Sequence, residues 1–143
     1  MDKEFVTYKT ALALKEIGFD EPCISDDFYA DGKIIINDDF ITNTEHDKLT
    51  QECNDDNIEN GDSLIEKGAT IPLKSQVFRW FREKHGMLGY IELVEPEYGG
   101  NYGYKLYYKL NYLSIDHWSK GYKTYEEAEN DLINKLIEII KNK

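Results

Sequence analysis

The stretch from Thr124 to Lys141 constrains this chain more than any other. Thr124 and Glu127 have the spacing of a capping box, in which hydroxyl and carboxylate satisfy the first free N–H groups of a helix. Behind them Ala128, Leu132, Ile133, Leu136, Ile137, Ile139 and Ile140 recur at helical spacing and cover about half the circumference. A stripe that wide predicts a helix packed deeply against a sheet. Lys141 and Lys143 then sit at the end where the helix dipole favours positive charge.

The rest of the chain supplies the elements for that sheet. Residues 7–17 are rich in strong helix formers, Gly18 is placed to take the left-handed position past the helix end, and Phe19 can pack just beyond it. Residues 27–36 read as a β-hairpin turning at Asp31–Gly32, with a possible continuation through Phe40 and Ile41 after a kink at Asn37–Asp39. Residues 73–85 predict an amphipathic helix with Val77, Trp80 and Phe81 on one arc and Arg79, Arg82 and Glu83 on the other. Strands follow over 87–95 and 104–110; in the second, Tyr104, Leu106, Tyr108 and Leu110 face one way and Lys105, Tyr107 and Lys109 the other. The expected fold is α+β: a small antiparallel sheet packed by two or three helices, including a long C-terminal one, in a single domain over 1–143. Between hairpin and second helix, residues 42–68 read as an acidic, loop-rich segment with one or two helical turns.

Charge is unevenly spread along this length. The net charge is −11, yet residues 1–68 hold 18 acids and 6 bases while residues 69–143 hold 10 acids and 11 bases. A field of that sign disfavours duplex nucleic acid and anionic membranes as partners, though a local basic patch can survive it. The opening residues lack an apolar signal region and no run approaches 18 apolar residues, so the expectation is a cytoplasmic protein with a protein partner. Cys23 and Cys53 lie thirty residues apart without metal-type spacing and read as reduced thiols.

No chemical motif stands out. His46, His85 and His117 share no zinc-type spacing. Asp55, Asn57, Glu59, Ser63 and Glu66 match positions 1, 3, 5, 9 and 12 of a calcium loop, but Asn60 stands where the glycine belongs. Ser114, Asp116, His117 and Ser119 are neighbours in sequence, which is not the spatial geometry of a triad. The expectation is therefore no metal, no cofactor and no catalytic residue. Three sets remain as candidate contacts. Asp55, Asp56 and Glu59 offer charge to a basic partner; Tyr98, Tyr102 and Tyr107 offer amphipathic contact area. Arg79, Arg82 and Lys105, with Tyr107, are what a nucleotide or single strand needs.

The segments VFRWFREKHGMLGYIE (Val77–Glu92) and YKTYEEAENDLINKLIEIIK (Tyr122–Lys141) resemble small hypothetical proteins of bacteriophages, prophages and genomes of the Bacteroidetes type. The leading LALKEIGFDEPC (Leu12–Cys23) is similar too, while Thr42–Gly68 matches only loosely. The resemblance implies a phage-associated origin and a compact α+β fold, and carries no catalytic residue. The reading that follows is a non-catalytic protein-interaction module. Its alternatives are a nucleotide or single-strand binder and an acidic mimic of DNA, which requires carboxylates spaced in rows.

Overall fold

A computed structural model of the chain describes residues 2–27, 33–59, 68–108, 117–118 and 120–142. Its contacts divide into two compact units, Met1–Leu73 and Lys74–Lys143. All of the net negative charge belongs to the first, since residues 69–73 carry no charge.

In the first unit, α1 (Tyr8–Glu16) begins where the Thr7 side chain accepts from Thr10 N–H at 3.2 Å. It ends in a paired-bond cap: Gly18 N–H donates to Lys15 O and Phe19 N–H to Leu14 O, at 3.1 and 3.0 Å. Gly18 takes φ +96°, the left-handed conformation expected of it. The cap turns Phe19 into the core, where it joins Leu14, Val6 and Ile71. Three strands follow, β1 (Cys23–Asp27), β2 (Ile35–Ile41) and β3 (Ala69–Thr70), in the antiparallel order β2-β1-β3. β1 and β2 pair as a hairpin, but on Cys23–Asp27 and Ile35–Ile41 instead of within the expected 27–36, and the expected turn at Asp31–Gly32 lies outside the described residues. The kink is real: Cys23 opposes Ile41 while Ser25 opposes Ile36, so β2 bulges between them. That bulge leaves Ile36 and Phe40 at 53% and 67% exposure.

The principal departure from expectation is α2 (Asn43–Glu59), a continuous helix through most of the acidic segment expected to be loop. With it the described residues hold four α-helices.

The second unit contains α3 (Lys74–His85), β4 (Met87–Leu93), β5 (Tyr102–Tyr108), β6 (His117–Trp118) and α4 (Tyr125–Lys141). The sheet is antiparallel with order β4-β5-β6. Its inner face, marked by Met87, Tyr104 and Leu106, is buried beneath α3 and α4, which contribute Val77, Trp80, Phe81, Leu132, Ile133 and Leu136. Gly89 on β4 lets α4 approach: a Cβ there would meet Leu132 Cδ1 at 2.8 Å. The capping box forms at α4, where Glu127 N–H donates to Thr124 Oγ1 at 3.2 Å. Lys74 and Glu129, 3.3 Å apart and both largely buried, tie the start of α3 to α4. The fold class is thus the expected one, α+β with small antiparallel sheets packed by helices and a long helix at the C-terminal end.

Candidate functional site

The feature with the most chemistry concentrated in it is α2 and the polar floor beneath it. The helix starts at Thr42, whose hydroxyl accepts from Glu45 N–H at 3.2 Å and donates to Glu45 Oε1 at 3.1 Å. A second cap comes from outside the helix. Asp20 accepts from both the N–H and the hydroxyl of Thr44, at 2.7 and 2.6 Å. Two carboxylates at the positive end of the dipole suit the helix start.

The inward face is polar. Asn43, His46 and Thr50 are buried, at 4%, 0% and 0% exposure. Asn43 donates to Phe19 O at 2.7 Å and accepts from Thr70 N–H at 3.0 Å, so one side chain stitches α2 to the α1 cap and to β3. Thr50 donates back to His46 O at 3.0 Å. Lys15 of α1 reaches Asp47 at 2.5 Å and Gly68 O at 2.9 Å. Hydrogen bonds therefore fix this helix where apolar packing usually would.

His46 lies against β1. Its Nε2 is 3.9 Å from Asp26 Oδ2, which also accepts from Asn37 Nδ2 at 3.1 Å. Asp26 and Asp27 are themselves buried. A side chain on Gly68 would collide with Asp27 O and press on the His46 ring, so this position is closed to anything with a Cβ. Burial holds the imidazole below its ordinary value of 6.5; the Asp26 carboxylate pulls the other way and the Lys15 ammonium reinforces the depression. Among the described residues, nothing hydrogen-bonds Asp26 Oδ1 or Thr70 Oγ1.

The outward face of α2 is acidic. Glu45, Lys48, Leu49, Glu52 and Asp55 are exposed there, and Gln51 donates to Asp55 at 2.9 Å. The backbone positions of Asp56 and Glu59 continue the line of Glu45 and Glu52, opposite His46 and Thr50. Helix in Asp55–Glu59 also removes the loop that calcium coordination by Asp55, Asn57 and Glu59 needs. Ser63 and Glu66 lie outside the described residues. No group of three or more His, Cys, Asp or Glu is placed to hold a metal among the described residues.

The other candidates scatter. Tyr98 belongs to a short 3-10 turn, Pro96–Tyr98. Tyr102 is half-buried, edge-on to Tyr125 at 6.0 Å, with its backbone paired to Tyr122. It braces the start of α4 instead of standing at a loop tip, and a side chain at Gly100 would collide with the Tyr122 backbone. Tyr107 lies on the sheet face opposite the helices, stacked on Tyr90 at 6.0 Å. Lys105 shares that face and pairs with Glu92 at 3.9 Å. Arg79 and Arg82 are exposed on α3, on the helix-bearing side. Two strand faces separate these cations, so Arg79, Arg82, Lys105 and Tyr107 do not line one groove.

His85 is enclosed by Trp80 and Phe81, at 4.8 and 5.9 Å between ring centres. His117 lies on β6; Ser114, Asp116 and Ser119 fall outside the described residues. An open groove of about 790 Å³ in the first unit is lined by Phe5, Tyr8, Lys9, Lys33 and neighbours, with no carboxylate or imidazole among the described residues. Cys23 and Cys53 are not joined in a disulfide. No described helix is long and apolar enough to cross a membrane.

Sequence reasoning misses Asp20, Asn43 and the burial of His46 and Asp26. One signal was available: Thr42-x-x-Glu45 is the same capping pattern as Thr124-x-x-Glu127. Comparison with protein-family models, curated proteins and solved structures finds no match.

Proposed function

We propose that this protein is a non-catalytic interaction module of phage or mobile-element origin whose contact element is the acidic outer stripe of α2. The supporting observation is the helix itself. Anchored by Asp20, Asn43 and Lys15, it holds Glu45, Glu52 and Asp55 outward on a fixed frame. A carboxylate row on a rigid helix complements a basic protein surface, steers its approach and selects its register. Along the helix, the positions of Glu45, Glu52, Asp56 and Glu59 are spaced by roughly 10, 6 and 4.5 Å at 1.5 Å per residue. That row, though unevenly spaced, is the feature on which the more specific reading rests, an acidic mimic of DNA that occupies a nucleic-acid-binding protein.

The test is affinity capture from the encoding organism with three baits: wild type, Glu45→Gln/Glu52→Gln/Asp55→Asn, and Tyr90→Ala/Tyr107→Ala as a control on the second unit. The expected result is a partner lost from the first variant and kept by the second, released by moderate salt. If duplex DNA displaces it, the mimic is the right form of the reading. Identical partner lists for wild type and the α2 variant would reject α2 as the contact element.

A further inference from the structure

We propose that the outer edge of β2 is a docking site for an extended, basic segment of a partner protein, which lies alongside Ile35–Ile41 as an added strand. In the sheet order β2-β1-β3 this strand stands at one side, with β1 as its neighbour among the described residues. A strand in that position presents backbone N–H and C=O groups that another chain can pair with.

The side chains along this edge suit such a pairing. Ile35, Ile36 and Phe40 are all exposed. Ile35 and Ile36 are successive strand residues, so they point to opposite faces of the sheet, and neither face is covered here. A strand laid beside them covers both through cross-strand contacts. Beyond Ile36 the bulge bends β2, and within it Asp38, Asp39 and Phe40 are exposed. Phe40 directly follows the two carboxylates. An aromatic face attracts a lysine or arginine head, and a carboxylate accepts its hydrogen bonds.

Charge selects the occupant. Edge strands avoid pairing with their own copies through charged side chains and bulges, and β2 has both. Its guards are acidic, and they belong to a unit with 18 acids and 6 bases. Two such units repel, which disfavours a second copy at this edge. A basic strand meets the same field as an attraction that steers its approach and sets its register. The complementary segment is therefore short and extended. It carries β-branched or apolar residues against Ile35 and Ile36, and lysine or arginine against Asp38 and Asp39.

This edge does not depend on α2 being a contact element. The probe is a displayed library of random peptides about ten residues long, enough to span β2, selected on the full chain at low salt. The leading sequence is then made synthetically. It should alternate apolar and basic residues and shift the β2 amide resonances on titration. Ile36→Lys/Phe40→Lys should weaken its binding by at least about tenfold. Asp38→Asn/Asp39→Asn should weaken it about threefold to tenfold, by a factor that shrinks as salt is added. These four side chains are exposed, so both variants should keep the wild-type denaturation midpoint. Methylating alternate backbone nitrogens of the peptide should abolish binding to the wild type at unchanged charge, because a paired strand needs those N–H groups. Failure to enrich basic peptides, or equal binding by the β2 variants or of the methylated peptide, overturns the proposal. Self-association of the chain through β2 also overturns it, since the occupant is then a second copy. A peptide lost from Glu52→Gln/Asp55→Asn but kept by both β2 variants supports the α2 reading and rejects the edge; the reverse pattern supports the edge. The two readings thus fail separately.

Discussion

Helices α2 and α4 are both 17 residues long and both begin at a Thr-x-x-Glu cap, yet they are held by opposite means. The buried face of α4 is Ala128, Leu132, Ile133, Leu136 and Ile137. Among the described side chains of α2, the buried ones are Asn43, His46 and Thr50. Apolar burial is non-directional and scales with area, so α4 is secured by many interchangeable contacts. Hydrogen bonds are directional and contribute little net once water is counted, so α2 depends on a few particular atoms. The first arrangement suits a scaffold. The second makes α2 sensitive to the loss of any one of those bonds.

The comparison is most severely tested at Leu132, which is fully buried against the sheet beside Gly89. Leu132→Ala should cost about 2–5 kcal/mol in chemical denaturation. A cost below about 1 kcal/mol would mean that α4 is not the apolar anchor described. Gly89→Ala probes the same contact from the other side, because the new methyl meets Leu132 at 2.8 Å. It should destabilise by about 1–3 kcal/mol, and a stabilised variant would show that Leu132 has room to yield. Asp20→Ala isolates α2 by removing both bonds to Thr44. About 0.5–2 kcal/mol is expected, read as faster exchange at the start of α2 with α4 unchanged. Equal acceleration in both helices would remove the distinction between them. The smallest effect belongs to the outer stripe beyond the cap: Glu52→Gln/Asp55→Asn should move stability by no more than about 0.5 kcal/mol per site. A larger shift would make these carboxylates structural instead of displayed.

How much of this was legible follows the same division. Elements held by apolar periodicity could be read directly: α4 and α3 appear close to their expected bounds, and Gly18 takes the predicted conformation. β2 and its kink were legible from β-branched residues and the Asn37–Asp39 interruption. α2 was not, because its described inward residues are as polar as its outward ones and leave no clear period to detect. Its cap at Thr42–Glu45 was written in the sequence, but without an apolar stripe behind it the pattern carries little weight. β1 was hidden for a related reason, since Ser25, Asp26 and Asp27 look like surface and are buried.

Among the candidate contacts, sequence proximity misled in both directions. Tyr102 and Tyr107 share a strand but not a face: one braces α4 and the other stacks on Tyr90. Arg79 and Lys105 belong to one unit but to opposite sides of its sheet. Alternation along a strand predicts the side of each residue, whereas the side taken by the packed helices is a tertiary choice.

By itself, the sequence determined the α+β class, the long C-terminal helix and the confinement of negative charge to the first half, because these depend on local period and composition. Only the tertiary structure decided that Asn43–Glu59 of the acidic segment is a helix and that His46 lies sealed beside Asp26. Those outcomes depend on Asp20, Lys15 and Gly68 meeting α2 across the fold, and hydrogen bonds between residues distant in sequence leave no periodic trace along the chain.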